Sequence, residues 1–283
     1  MKFKWKLIAV SSIFLVNSSF IYAEEQQEPK TSDMPQLTEE QTASPVDNLM
    51  LPTISELHLQ AMAFGITADW NRMVKVQPRD YKAMKLPKRA FEVGKTLSSV
   101  AFIVLSGENE DAPPPKGIVQ TSYDAISSLN PPKNIQVKLQ KLRDQLEAGT
   151  LHGKKLRAEV DILLNEVING MVEDEKTSQS LKDAGTLVLG TGYFKAMYLG
   201  TTTVAGYQNP TKDQLAMFKW GIIIDYFINY FKKKAAPEFK ESVEVSNFVI
   251  ALMKIKPRLD KTYEQLSKSD IQAVATILEP LFK

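Results

Sequence analysis

The chain has 283 residues, a nearly balanced 35 basic and 33 acidic side chains, and no cysteine. Such a balance offers no clustered basic face of the kind nucleic acid requires, so that partner is set aside. The missing thiols exclude disulfides, an acylated cysteine, c-type haem attachment, iron–sulfur ligation and thiol catalysis, and leave the fold to rest on packing alone.

Residues 1–23 read as an export signal. Lys2, Lys4 and Lys6 precede the apolar run 7–16, and Ile21-Tyr22-Ala23 supplies the small residue expected at a cleavage site. Removing three lysines and no carboxylate brings the net charge to about −1. The expected location is therefore outside the cytoplasm, periplasmic or extracellular, with membrane contact only if the leader is retained. Residues 24–52 read as a disordered acidic linker: Glu24, Glu25, Glu28, Asp33, Glu39, Glu40 and Asp47 face the single base Lys30, among four prolines. So little apolar surface cannot offset the entropy of ordering.

From residue 53 to 283 the pattern is helical, with no run of period-two alternation. The first helix is expected over 54–76, stopped by Pro78; its apolar residues Ile54, Leu57, Leu59, Met62, Phe64, Ile66, Trp70 and Met73 surround it, which predicts a central position. A second is expected over 88–106, with Lys88, Glu92, Lys95 and Ser99 as a polar stripe opposite Ala90, Gly94, Leu97, Ala101 and Val104. Residues 107–117, rich in acid and proline, are the candidate lobe boundary or exposed interaction loop.

Short helices follow over 118–129 and 134–148. An amphipathic helix over 154–172 carries Leu156, Val160, Leu163, Val167 and Met171 on one seam. Two strongly apolar helices are expected over 180–208 and 212–234, the second opened by a capping box from Thr211 and Gln214. The last helices are expected over 237–255, with Pro237 in the first turn, and over 269–278, capped by Ser269 with Gln272 and halted by Pro280.

The glycine-rich helix 180–208 holds Gly185, Gly190, Gly192, Gly200 and Gly206, and each interior glycine costs about 1 kcal/mol against alanine. A close helix crossing, against the face of Gly94 and Ala101, is the leading explanation. The alternative is a small apolar ligand seated beside the helix, with Tyr193, Phe194 and Tyr198 as lining and Tyr193, Lys195, Ala196, Gly200 and Asp225 as candidate ligand-binding residues. Lys195 and Asp225 are charges near the middles of two apolar helices. Buried together they would line a polar pocket; the stripes Thr191, Lys195, Tyr198, Thr202 and Gly221, Asp225, Asn229, Lys232 favour exposure to water instead. Length permits a membrane hairpin, but Lys182, Lys232 to Lys234 and five threonines argue against it.

Metal and catalytic signals are missing. His58 shares a face with Ile54, Ala61 and Met62, His152 sits in a glycine-bracketed turn, and neither belongs to a metal-ligand spacing. There is no nucleophile elbow and no phosphate-cradling loop. Asp69, Glu92, Asp225 and Glu244 cannot be paired by spacing, so no catalytic residue is named.

The run Lys88-Arg89-Ala90-Phe91-Glu92-Val93-Gly94, with the amphipathic and glycine-rich helices after it, resembles a group of uncharacterised exported helical proteins of bacteria over most of 53–234. The resemblance implies a bacterial origin and an all-helical domain, and brings no activity with it. The expectation is an all-α antiparallel bundle of about seven to nine helices, in one core or two packed lobes, with no cofactor and no metal. Non-catalytic binding or scaffolding of a protein or envelope component is the expected role, a carrier of a small apolar ligand comes second, and an enzyme third.

Overall fold

The computed structural model describes residues 54–67, 73–74, 76–105, 116–150, 171–172 and 176–283, all within the unit Thr53–Lys283. The leader, the acidic linker, His152, Asp69, most of the 107–117 loop and all of the 154–172 helix except Met171 and Val172 lie outside the described residues. Those described form an all-α multi-helix bundle with no strand among them.

Helix α1 spans Ile54–Ala63, far short of the expected 76. The stop is Gly65, whose φ of 69° is the left-handed conformation that glycine adopts without strain. Its N–H donates to the carbonyl of Met62 at 2.9 Å and the Ile66 N–H reaches back to that of Ala61 at 2.8 Å, a paired C-terminal cap. The central position expected for this helix is also corrected. Leu57, His58 and Ala61 are buried against α2 and α5, while Leu59 and Met62 are exposed.

Helix α2 (Leu86–Leu105) opens with Pro87 in its first turn. The Arg89 guanidinium donates to the carbonyls of Met84 and Ser128, each at 2.8 Å, and so ties this end to the close of α3 (Lys116–Ser127). The polar stripe expected on α2 is covered in part, since Glu92 and Ser99 are buried along with Ala90, Leu97 and Ala101. Helix α4 (Lys133–Glu147) packs on α3 through Ile135 and Leu139.

The centre belongs to α5, Gln179–Gly206, a helix of 28 residues and about 42 Å. Ser178 caps it by accepting from the Leu181 N–H. It packs chiefly against α2 and the last helix, and also against α1. A Cβ placed on Gly94 would stand 1.8 Å from Thr191 Oγ1 and 2.5 Å from the Val188 carbonyl oxygen, so the α2 backbone rests directly on α5. The close crossing is thus made by the glycine of α2. Two glycines of α5 face elsewhere: Gly190 lies under the rings of Phe227 and Phe248, and Gly200 under Phe218.

Helix α6 (Lys212–Ala216) starts with the expected Thr211–Gln214 capping box, but the segment 212–234 is not one helix. The chain breaks over residues 217–220, where Phe218 and Trp220 turn into the core. It resumes as α7 (Gly221–Asn229) and widens into a π-helical turn, Tyr230–Lys234, closed by the Ala235 N–H on the Tyr230 carbonyl. Burial of two large rings outweighs unbroken backbone pairing here.

The expected helix 237–255 is likewise divided, into α8 (Pro237–Lys240), with proline at its start, and α9 (Val243–Leu259), where Ser242 accepts from the Val245 N–H. Helix α10 (Lys268–Phe282) begins one residue earlier than expected, its capping box is made by Ser267 and Asp270 in place of Ser269 and Gln272, and it runs through Pro280. A proline this close to a helix end forfeits one backbone hydrogen bond and need not stop the chain.

The core of α5, α7, α9 and α10 is aromatic. Phe194 meets Phe248 at 5.5 Å, Phe227 at 6.0 Å and Trp220 at 6.5 Å, all edge to face. Phe91 of α2 stacks on Phe282 at 6.1 Å. Such pairs each add roughly 0.5–1.5 kcal/mol to what their buried area contributes.

Candidate functional site

Charge placed deep in an apolar helix is the chemistry most in need of a reason. Two such groups lie on α5. Lys195 is 7% exposed, which corrects the expectation that it faces water. Its Nζ donates to the Phe282 carbonyl at 2.6 Å and lies 5.2 Å from the Tyr198 ring centroid. Tyr198 in turn stacks on Phe282. The ammonium therefore sits at the C-terminal end of α10, where unpaired carbonyls carry the negative end of the helix dipole.

Burial first, and then the neighbouring Lys95, pull the Lys195 ammonium down to a pKa of about 8. Lys95 belongs to a second polar group at the α2 surface. Glu92 is held between Arg79 at 2.7 Å and Lys95 at 3.4 Å. These three partly neutralise one another, and Lys195 takes its stabilisation from a carbonyl and an aromatic face.

Asp183 is the second buried charge, fully enclosed one turn into α5. One carboxylate oxygen accepts from Gln179 Nε2 at 2.7 Å and from the Tyr230 hydroxyl at 2.8 Å, and the other accepts from the Ala236 N–H at 2.7 Å. The Tyr230 hydroxyl is raised above its ordinary range, chiefly by burial, with the Asp183 hydrogen bond adding to it. One side chain thus anchors both ends of the π-helical turn to α5.

Asp183 was not among the sequence candidates. It stands just before the nearly uncharged stretch that drew attention to Lys195. Its spacing of four from Gln179 and its place in the first turns of a helix were the available signals.

The other candidates are dispersed. Tyr193 is buried, edge to face with Trp220 at 6.3 Å, and burial drives its hydroxyl well above the usual range. Ala196 is buried, and the space over Gly200 is taken by Phe218. Asp225 does not pair with Lys195. Half-exposed, it binds Lys256 at 2.7 Å, with Asp260 at 3.6 Å from the same ammonium. His58 is a core residue, edge to face with Phe102 at 5.9 Å. Among the described residues no three potential ligands gather around a metal position, and no helix is long and apolar enough to cross a membrane.

What fold and buried chemistry define is an all-α, cysteine-free multi-helix protein whose interior charges are joined to helix ends and turns. In comparison with known proteins, no family model, no curated protein and no solved structure matches the chain.

Proposed function

We propose that this is an exported, non-catalytic binding protein that holds a protein or envelope component against the outer face of α1. The leader 1–23 supports export to the periplasm or beyond. The observation that carries the binding reading is the apolar surface left uncovered on α1 and the turn after it: Leu59 is 63% exposed and Met62 53% on the helix, and Phe64 37% in the turn, beside the buried Leu57, His58 and Ala61. Several large apolar side chains together on an outer face mark an interaction surface more often than isolated ones do. The reading requires no cofactor.

Capture from native extract by the wild type and by a Leu59→Ser, Met62→Ser, Phe64→Ser variant tests it. Loss of a captured component by a variant that keeps its melting temperature supports the α1 face; identical capture by both overturns it. Mass spectrometry of the native N-terminus separately tests export, with Glu24 as the expected first residue.

A further inference from the structure

Helix α9 is apolar on two opposite sides. Its inner side, with Val245, Phe248, Leu252, Ile255 and Leu259, is buried in the core. Its outer side carries Val243, Ile250 and Met253, which are 68%, 45% and 47% exposed, and exposed Pro257 continues the row, with Ser246 and Asn247 between. A helix with apolar groups on opposite sides is normally a buried one. Val243, Ile250 and Pro257 are seven residues apart, as are Ser246 and Met253, which is the spacing by which helices pair side by side. The charges beside this row are sorted by end. Glu244 stands in the first turn of α9, and Lys254 and Arg258 stand towards its close. At 3.6 residues per turn all three fall on the same flank of the row. Glu244 and Lys254 have no ion pair or side-chain hydrogen bond among the described residues. Arg258 lies 4.0 Å from Asp270, which Lys261 already holds at 2.7 Å. The other flank is matched within the chain, since Lys256 binds Asp225 at 2.7 Å and lies 3.6 Å from Asp260. Before the cap, exposed Lys240 and Glu241 are opposite in charge and offset one another.

We propose that this face binds a second copy of the chain, α9 against α9, antiparallel about a two-fold axis through Ile250. A two-fold contact is self-complementary, so what α9 offers at one end must suit what it offers at the other. With Ile250 on the axis, Val243 of one copy faces Pro257 of the second, and Asn247 faces Met253. Glu244 then meets Lys254 and Arg258 of the second copy on the shared flank, and the axis repeats this at the other end. The charges that α9 leaves unmatched within the chain are thus the ones that a second copy supplies with opposite sign. A parallel arrangement would set Glu244 against Glu244 and Lys254 against Lys254, which excludes it. Seventeen residues of helix span about 25 Å. An interface of that size is small, and a dissociation constant on the order of tens of micromolar is expected. This inference is independent of the α1 face.

Sedimentation velocity of the full chain, from about one to several hundred micromolar, tests it. The wild type is expected to pass reversibly from monomer to dimer. Ile250→Asp, which replaces an exposed side chain, is expected to keep the helical circular dichroism and to weaken the dimer on the order of a hundredfold, because the change enters the contact twice. Two charge-reversed proteins, Glu244→Lys and the double variant Lys254→Glu, Arg258→Glu, are each expected to self-associate about tenfold more weakly than the wild type. Mixed together they are expected to form a heterodimer of near wild-type strength, since each then meets opposite charge at both ends. All these proteins carry the same leader, so association through the leader would be the same in each. A wild type that stays monomeric throughout, an Ile250→Asp variant that dimerises as the wild type does, or a mixture of the charge-reversed proteins that associates no better than either alone overturns the proposal.

Discussion

Gly94 and Thr191 are in such close register that no side chain fits between their helices: a Cβ on Gly94 would lie 1.8 Å from Thr191 Oγ1. The threonine alone could rotate away. The Val188 carbonyl oxygen, 2.5 Å from the same point, is backbone and cannot. Gly94→Ala should therefore force α2 off α5 and cost about 2–4 kcal/mol, at or above the usual range for overpacking, as read by urea denaturation. A loss below about 0.5 kcal/mol would show that the two helices are not in contact there.

Gly200 gives the contrasting case. Its Cβ would approach Phe218 at 2.8 Å, and that neighbour is the edge of a ring. Gly200→Ala is expected to cost less than Gly94→Ala, about 1 kcal/mol, because the ring can shift and alanine's helix-propensity gain offsets part of the cost of the contact. Gly200→Leu is expected to cost several kcal/mol. Full thermal stability of the leucine variant would mean that Phe218 does not fill this space.

Lys195 makes stability depend on alkaline pH in an unusual direction. Its folded pKa of about 8 is below the ordinary 10.5. Between those values the unfolded chain holds a proton that the folded chain has released, so stability rises as pH increases from 8 towards 10.5, by up to roughly 3 kcal/mol. Above pH 10 the raised hydroxyls of Tyr81, Tyr193 and Tyr230 act oppositely, since the folded state then holds the extra protons. Denaturation midpoints should peak near pH 10, and Lys195→Met should remove the rising limb. A rising limb that survives in Lys195→Met would assign it to another group.

Asp183→Ala should cost about 2–4 kcal/mol, because it leaves the Ala236 N–H and the Tyr230 hydroxyl without their acceptor inside the protein. The loss should be local in its dynamics as well. Amide exchange at Ala235 and Ala236 is expected to accelerate more than exchange in α9, and uniform acceleration would show that Asp183 supports the whole fold and not the turn.

The helices themselves were largely legible in the chain, because apolar spacing and capping residues act within a few positions of one another. The Thr211–Gln214 pair holds local hydrogen bonds, and periodicity located α2 and α5 to within a few residues. Where helices end or break was legible only when the cause was local. Gly65 closes α1 through its own left-handed backbone, a signal present in the sequence but outweighed by the apolar pattern that continues beyond it.

The break before α7 has no comparable local cause. It exists because Phe218 packs over Gly200 and Trp220 meets Tyr193 and Phe194, residues far away along the chain. The fates of the charges were decided in the same way. A helical stripe shows that Lys195 and Tyr198 share a side of α5, yet only the docking of α10 determines whether that side meets water or the Phe282 carbonyl. By itself, then, the sequence determined the helical class, the Thr211–Gln214 cap and the lack of thiol chemistry, since these depend on composition and near neighbours. Tertiary structure alone decided which apolar face stayed bare and which charges were enclosed, because burial is a property of the surfaces that meet.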